Sequence, residues 1–380
     1  MKIPYLFNQS DIKIKHPKKS GVNREHNIIV CRLQDLSVGW AQRIIDKHTK
    51  DTVVSGVTII SMEIGTTTRI RVFVEHSSSD FFPSRWFVKI PSLDWRAWWI
   101  TALPRLLHNE VRFYREFTEA FPVNRPSILA AQSRLGLGST LVLTDVTEFG
   151  AIPGRPGDAL TASQAMVVVE QLACLHARFW NKVSPSVNTY WLANPIRQLE
   201  DVLGTVMAVP LMKRGLRLAD GLIPLKLYAP AIHYARRRKK IMGFLSDGCQ
   251  TLVHHDCHPG NLFWHQSQPG FLDWQLVRAG EGISDIAYFL ATSLAPEVRR
   301  LHEFSLLSRY VQVLLDNGVE GIDVTSQMQR YRAHLVYPFE AMLITLSIGS
   351  MMDLESNLEL IRRTAIAVED HDTFSSPLFN

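Results

Sequence analysis

The spacing of apolar residues changes period several times along the chain, and each change marks an element. Residues 1–32 have no period; they are polar, carry several Lys and His, and predict an extended arm. Between Leu33 and Lys50 the run LQDLSVGWAQRIIDKH has apolar residues at helical spacing. Then β-branched residues take over in Val53–Met62 and Thr68–Val74, and Arg85–Ile90 alternates, which predicts three strands. The first two flank the turn Gly65-Thr66-Thr67. Pro104–Ala120 opens with Pro at a helix start and gathers Leu, Val and Phe on one side, so a helix is expected. Ser127–Arg134 and Thr140–Val146 return to strand. The Gly- and Pro-containing segment 150–157 reads as a joint, and Thr161–Trp180 as a long apolar helix with Thr161 at its N-cap. The rest is mostly helical, apart from strand-like pieces around Leu252–Val253 and Gly270–Leu272.

This order predicts an α+β chain: an arm (1–32), a small sheet-rich lobe with one internal helix (33–149) and a larger, mostly helical lobe (150–380). Composition agrees, since 380 residues with 46% hydrophobic and 20% charged suffice for two cores. The N-terminus has no signal-like apolar run, and no stretch of about 18 uncharged apolar residues exists, so no membrane span is expected. Four scattered cysteines (Cys31, Cys174, Cys249, Cys257) form no CxxC pair, and a reduced, cytoplasmic location is the expectation. The net charge of +5 is mild. It comes largely from Lys13–Lys19 and the run Arg236–Lys240, which read as solvated surface rather than a nucleic-acid site, because no aromatics interleave with the run.

The densest chemistry lies in VHHDCHPGNLFWHQSQPGFLDWQ, residues 253–275. Phosphoryl transfer asks a protein for a carboxylate to take the proton of the attacking hydroxyl, for oxygen ligands to magnesium, and for cations against the phosphates. A His-x-Asp-x-x-x-x-Asn loop, then a strand ending in a second Asp, supplies these parts. Here they are His254, Asp256 as the base, Asn261 as a metal ligand and Asp273 as the main metal ligand. The cluster His254, His255, Asp256, Cys257 and His258 also invites a zinc or iron reading. Adjacent ligands on one extended loop converge poorly on a single ion, however, and no second ligand pair stands elsewhere.

The loop resembles the aminoglycoside phosphotransferase and choline kinase superfamily, whose usual form is HGDxHxxN followed by IDW or IDF. Asp273-Trp274-Gln275 with Gly280–Ala287 is similar to its DW(E/Q)…G…DLA segment, and Asn109-Glu110-Val111-x-Phe113-Tyr114 resembles the ecdysteroid-kinase-like group. The resemblance covers about residues 55–295 and implies a bilobal protein-kinase-like fold. It also implies roles for residues that alone would read as surface. Lys89 would touch the nucleotide phosphates and Glu110 would pair with it. Gly65, Thr66 and Thr67 would cover the phosphates, Thr144, Asp145 and Val146 would meet the purine, and Asp285 with His254 would brace the catalytic loop. His176 matches a structural landmark.

The expected activity is transfer of a γ-phosphate from ATP, or GTP, with Mg²⁺, to a small hydroxylated acceptor. A nucleotide-binding pseudokinase acting as sensor or scaffold is the alternative, against which stand the intact Lys89, Asp256, Asn261 and Asp273. A protein kinase is disfavoured by the short gap from Asp273 to Asp285 and the lack of an Ala-Pro-Glu segment. Two departures from the family pattern stand out: His255 replaces the usual glycine, and the phosphate turn has one glycine only. For the acceptor, Glu340, Asp353, Glu355, Glu359 and Asp370 offer carboxylates that read first as solvated helix faces, and Trp95, Trp98 and Trp99 an aromatic wall that reads first as core or interface packing.

Overall fold

Alternation along Thr68–Val74 divides a sheet into two unlike faces. In this computed structural model the described residues are 27–77, 82–93, 106–118, 120–134, 138–183, 190–193, 195–349, 351–376 and 379. Most of the expected arm, the Lys13–Lys19 stretch and the three tryptophans at 95, 98 and 99 lie outside them. The chain forms two compact units: one ends at Pro153 and takes in Phe263–Gln275, the other comprises Gly154–Leu262 and the chain from Leu276 onward.

In the first unit, β1 (Val54–Ile64), β2 (Thr67–His76), β3 (Arg85–Pro91), β4 (Ile128–Arg134) and β5 (Gly138–Thr144) make an antiparallel sheet in the order β1-β2-β3-β5-β4. One face carries Ile70, Val72, Val74, Trp86, Val88 and Ile90, all buried. Helix α1 (Val38–Ile45) covers this face with Trp40, Ala41, Ile44 and Ile45, its Ser37 cap accepting from the Trp40 N–H. It starts after a short 3₁₀ turn at Leu33–Asp35, so the helix read from Leu33 is shorter than its apolar spacing. Because side chains alternate, the opposite face receives Arg69 and Arg71 from β2 and Lys89 from β3, with Arg69 the register partner of Lys89. Helix α2 (Leu106–Glu116) buries Leu107, Glu110, Val111, Phe113 and Tyr114. β6 (Ile152–Pro153), β8 (Leu262–His265) and β9 (Gln268–Phe271) form a second small sheet. Its hairpin turns through Gln266 and Ser267 at positive φ and delivers the chain to Asp273.

The second unit is mostly helical: α3 (Ala162–Phe179), α4 (Pro195–Leu218), α5 (Tyr228–Leu245), α6 (Gly282–Ser293), α7 (Pro296–Asp316), α8 (Val324–His334), α9 (Val336–Ile348) and α10 (Leu354–Asp370). Thr161 caps α3, as its sequence predicts, and forms a capping box with Gln164. All twelve residues of α6 are buried, making it the axis of this core. The antiparallel pair β7 (Gln250–Val253) and β10 (Arg278–Glu281) was only half visible in the sequence. β10 reads as Arg-Ala-Gly-Glu, with no apolar alternation to announce a strand. The α+β class is as expected, with one unit built on an antiparallel sheet and the other mostly helical. Among the described residues no helix is long and apolar enough to cross a membrane.

Three carboxylates anchor the helical unit. Glu281 accepts from Gly248 N, Arg330 and His334 Nε2; Glu303 meets Arg299 and His371, and Asp370 meets Arg299 and Arg300. Burial pushes each carboxyl pKa up, but the cationic partners outweigh it and hold all three below the ordinary value. Because the folded values lie below the unfolded ones, this stabilisation is complete above the ordinary carboxylate pKa and is lost as pH falls through the depressed values. The urea midpoint is therefore expected to fall between about pH 5 and pH 3, and less steeply in Glu281→Gln. An unchanged pH slope in the variant would contradict this account.

Candidate active site

The candidate residues fall into two clusters, one in each unit. In the sheet unit, Lys89 Nζ lies 2.8 Å from both oxygens of Glu110 and 3.0 Å from Asp273 Oδ1. Lys89 is 3% exposed and Glu110 0%, so neither charge is left without its counter-ion. Burial, and then the neighbouring Asp273 charge, raise the Glu110 pKa, and Lys89 opposes them. The cluster rests on aromatic packing. Trp274 stacks on Phe113 at 4.4 Å and 10° and donates its backbone N–H to Glu110 Oε1, tying Asp273's neighbour to α2. Asp273 itself has φ 58°, a left-handed turn that Asp tolerates. A fourth charge completes the group and was not singled out by sequence reasoning: Arg69 NH2 is 3.1 Å from Asp273 Oδ2. Its only signal is an Arg in an alternating strand, which reads as solvent-facing until the β2–β3 register is known.

The Gly65-Thr66-Thr67 turn is the β1–β2 hairpin, with Gly65 N–H donating to Thr67 O and Ser92 Oγ to Gly65 O. Thr144 ends β5 and its N–H donates to Ser127 O; the Asp145 N–H donates to Arg85 O. The Asp145 carboxylate caps a 3₁₀ turn at Val146–Phe149 through the Thr147 N–H and hydroxyl and pairs with Arg71, so Val146 lies in that turn and not in a strand. Of the three residues assigned to the purine, Asp145 thus has its side chain engaged in shaping the segment.

In the helical unit, β7 ends at Val253 beside Arg278 of β10, and α6 starts directly after Glu281. That pairing brings Asp285 to the His254 loop. Asp285 is fully buried; its Oδ2 accepts from His254 N at 2.7 Å and its Oδ1 from His255 N at 2.8 Å. His176 Nε2 stands 3.3 Å from Asp285, and its Nδ1 is 3.0 Å from the Tyr310 hydroxyl. Gly282 is required here, because a Cβ would come within 2.5 Å of the Tyr310 oxygen and 2.7 Å of His176 Nδ1.

Asp256 is held at both oxygens: Oδ1 accepts from Tyr288 OH at 2.6 Å and Oδ2 from Asn261 Nδ2 at 2.9 Å. Burial, then the Asp256 charge, push the Tyr288 hydroxyl pKa well above its usual value, so it stays a donor. Asn261 Nδ2 also donates to Asp256 O at 2.8 Å. Both amide N–H groups are thereby used on Asp256, and the amide oxygen is what Asn261 has to offer a cation. Tyr288 escaped sequence reasoning because it sits in the apolar face of a core helix.

His255 stands at a position where the backbone itself favours glycine. Its φ is 69°, the left-handed region that glycine enters freely. Asp285 pins its N–H, Tyr337 OH donates to its carbonyl at 3.1 Å, and its ring stacks on Tyr337 at 4.1 Å. The rest of the cluster is committed to the loop. His254 Nδ1 accepts from Asp256 N, His258 Nδ1 from Gly260 N, and the buried Cys257 thiol donates to Asp285 O. Burial, then the charges of Asp285 and Asp256, push that thiol pKa well up, away from the thiolate a zinc site uses. Among the described residues no three His, Cys, Asp or Glu side chains converge on a metal position. The Asp273 carboxylate in one unit and the Asn261 amide oxygen in the other are each hard oxygen donors of the kind magnesium takes.

The chain between Asp273 and Asp285 is fully used by a 3₁₀ turn, β10 and the first turn of α6. The carboxylates considered for an acceptor are mostly engaged. Glu340 is held by Arg238 and Tyr234, Asp353 caps α10, Glu359 meets Arg362 and Arg363, and Asp370 meets Arg299 and Arg300; Glu355 lies exposed in the first turn of α10. Arg238 thus turns inward from the basic run, while Arg236, Lys239 and Lys240 are exposed.

Residues 196–319 match the model of the Ecdysteroid kinase-like family. The matched segment contains Asp256, Asn261, Asp273 and Asp285. No curated protein matches the chain. Among solved structures, the chain is similar to choline kinase from Cryptosporidium parvum, at 14% identity over 86% of this chain and 94% of that one, with a TM-score of 0.45. It is similar to Plasmodium vivax ethanolamine kinase at 11% identity over 83% and 81%, with a TM-score of 0.44. For aminoglycoside 2'-phosphotransferase-IIIa in its GDP complex the values are 13%, 86%, 97% and 0.46.

Proposed function

We propose that this chain, similar over residues 196–319 to the ecdysteroid kinase-like family, is a small-molecule kinase that moves the γ-phosphate of ATP or GTP to a hydroxyl of a metabolite, natural product or antibiotic. The observation that carries the reading is the buried Lys89–Glu110–Asp273 cluster. A lysine fixed between two carboxylates on a sheet face is the arrangement phosphoryl transfer uses to set one cation against the phosphates.

The residues divide the work. Asp256 accepts the proton of the attacking hydroxyl; the new bond joins that oxygen to the γ-phosphorus, and the bond to the β-phosphate oxygen breaks, leaving the nucleoside diphosphate and a phosphate monoester. Tyr288 and Asn261 fix the Asp256 carboxylate so that its proton-accepting oxygen need not be reorganised during the reaction. Lys89, steadied by Glu110, balances phosphate charge. Asn261 and Asp273 would hold Mg²⁺, which when bound supplies Lewis-acid neutralisation of the phosphates.

The test is an acceptor screen by nucleoside diphosphate release across aminoglycosides, macrolides, sterols, amino alcohols and sugars, at millimolar ATP and at millimolar GTP. One class is expected to stimulate release, with phosphate recovered on the acceptor. Failure to bind either Mg-nucleotide would end the reading. Binding without transfer to any acceptor would favour the pseudokinase sensor or scaffold.

A further inference from the structure

Arg69 and Lys89 are register partners on neighbouring strands, and their cations end on the two oxygens of one carboxylate. Lys89 takes Asp273 Oδ1 and Arg69 takes Oδ2. With Glu110, the group holds two cations and two carboxylates among the described residues, whose formal charges balance. A divalent ion at about 2.0–2.1 Å from Oδ2 would meet the Arg69 guanidinium at a distance of strong repulsion, because both would crowd one oxygen. Arg69 and the ion are therefore alternatives on Asp273. Arg69 also has unspent donor capacity: its Nε is buried with no hydrogen-bond partner among the described residues, and so is Thr67 Oγ1, two residues earlier on the same strand face. Two such donors on one face, beside a lysine and next to a hairpin turn poor in glycine, suit an acceptor-rich anion.

We propose that Arg69 is a counter-cation switch: it holds Asp273 Oδ2 until a divalent ion takes the carboxylate, and then turns, with Thr67, onto the nucleotide phosphates. Arg69 and Thr67 thus supply from side chains what a glycine-rich turn supplies from backbone N–H groups. This inference rests on the reading of the site as a metal–nucleotide site.

Mn²⁺ binding to the full chain, followed by electron paramagnetic resonance with and without a non-hydrolysable nucleotide, tests it without any acceptor. In Arg69→Met, Mn²⁺ without nucleotide is expected to bind about tenfold tighter, and the nucleotide at saturating Mn²⁺ about tenfold weaker. Arg69→Lys keeps the charge and is expected to stay within about threefold of the wild type in both. A purely structural Arg69 would lower stability but move neither constant in these opposite directions. If the wild type binds Mn²⁺–nucleotide while both variants match it, the switch is wrong and the kinase reading stands. If the wild type binds no Mn²⁺–nucleotide, both fall together.

Discussion

Asp256→Asn is expected to lower kcat by about 10²–10⁴-fold with the acceptor that the screen identifies, because a positioned base contributes on that order. The fold should tolerate the change. Asp256 Oδ2 accepts from Asn261 and Oδ1 from the Tyr288 hydroxyl. An asparagine keeps its oxygen toward Asn261 and turns its NH₂ to Tyr288, whose hydroxyl rotates to accept. Lys89, Glu110 and Asp273 are untouched, so nucleotide affinity by calorimetry should stay within about twofold. A kcat within tenfold of the wild type would remove Asp256 from the role of base. A matched loss of nucleotide affinity would show instead that the loop had moved, and the substitution would then say nothing of proton transfer.

Asp285→Asn should act on stability as well as rate. The Asp285 carboxylate takes two backbone N–H groups, one on each oxygen, at the point where His255 is held in the left-handed region. An amide has one acceptor oxygen. Its NH₂ must face either His254 N–H or His255 N–H, which strands one buried donor against another and removes two charge-assisted bonds. The bond that the amide oxygen keeps drops from charge-assisted to neutral, a loss of about 1 kcal/mol, and the stranded donor costs about 1–3 kcal/mol, so a net loss of roughly 3 kcal/mol is expected. For a unit of this size that is a fall in Tm of about 6–12 °C by calorimetry. His255 would then be free to leave its strained backbone, displacing Asp256, so kcat should fall with little change in nucleotide affinity. Asp285 is a positioning residue, and an unaltered Tm in the variant would refute the brace.

The resemblance covered the parts of the site that are set by local order. Asp256 and Asn261 are five residues apart, and Asp273 follows a hairpin whose turn residues are readable. Their relation is carried by short-range geometry, and the two amide N–H groups that Asn261 gives Asp256 are one loop closing on itself. The strands of the main sheet were legible for the same reason: alternation with period two is a local consequence of pleating, and Ile70, Val72 and Val74 announce their buried face. The role of His255 was half legible. The resemblance puts a glycine where this sequence has His255; the φ of 69° is a region glycine enters freely, and the Tyr337 stack shows how histidine is held there.

Arg69 and Tyr288 were not legible, because their partners lie far along the chain. Arg69 meets Asp273 across 204 residues and Tyr288 meets Asp256 across 32. No periodicity marks an arginine whose strand neighbour is a buried lysine, nor a tyrosine within a wholly buried helix, until strand register and helix rotation are known. Sequence alone thus determined the class of fold, the order of the candidate site residues and the Asp256–Asn261 loop, all consequences of local spacing. Only the tertiary structure decided that Asp273 is shared by two cations, that Asp285 pins His255 in a strained turn, and that Tyr288 holds Asp256. Those are pairings between distant segments, fixed by the packing of sheets and helices that no local pattern encodes.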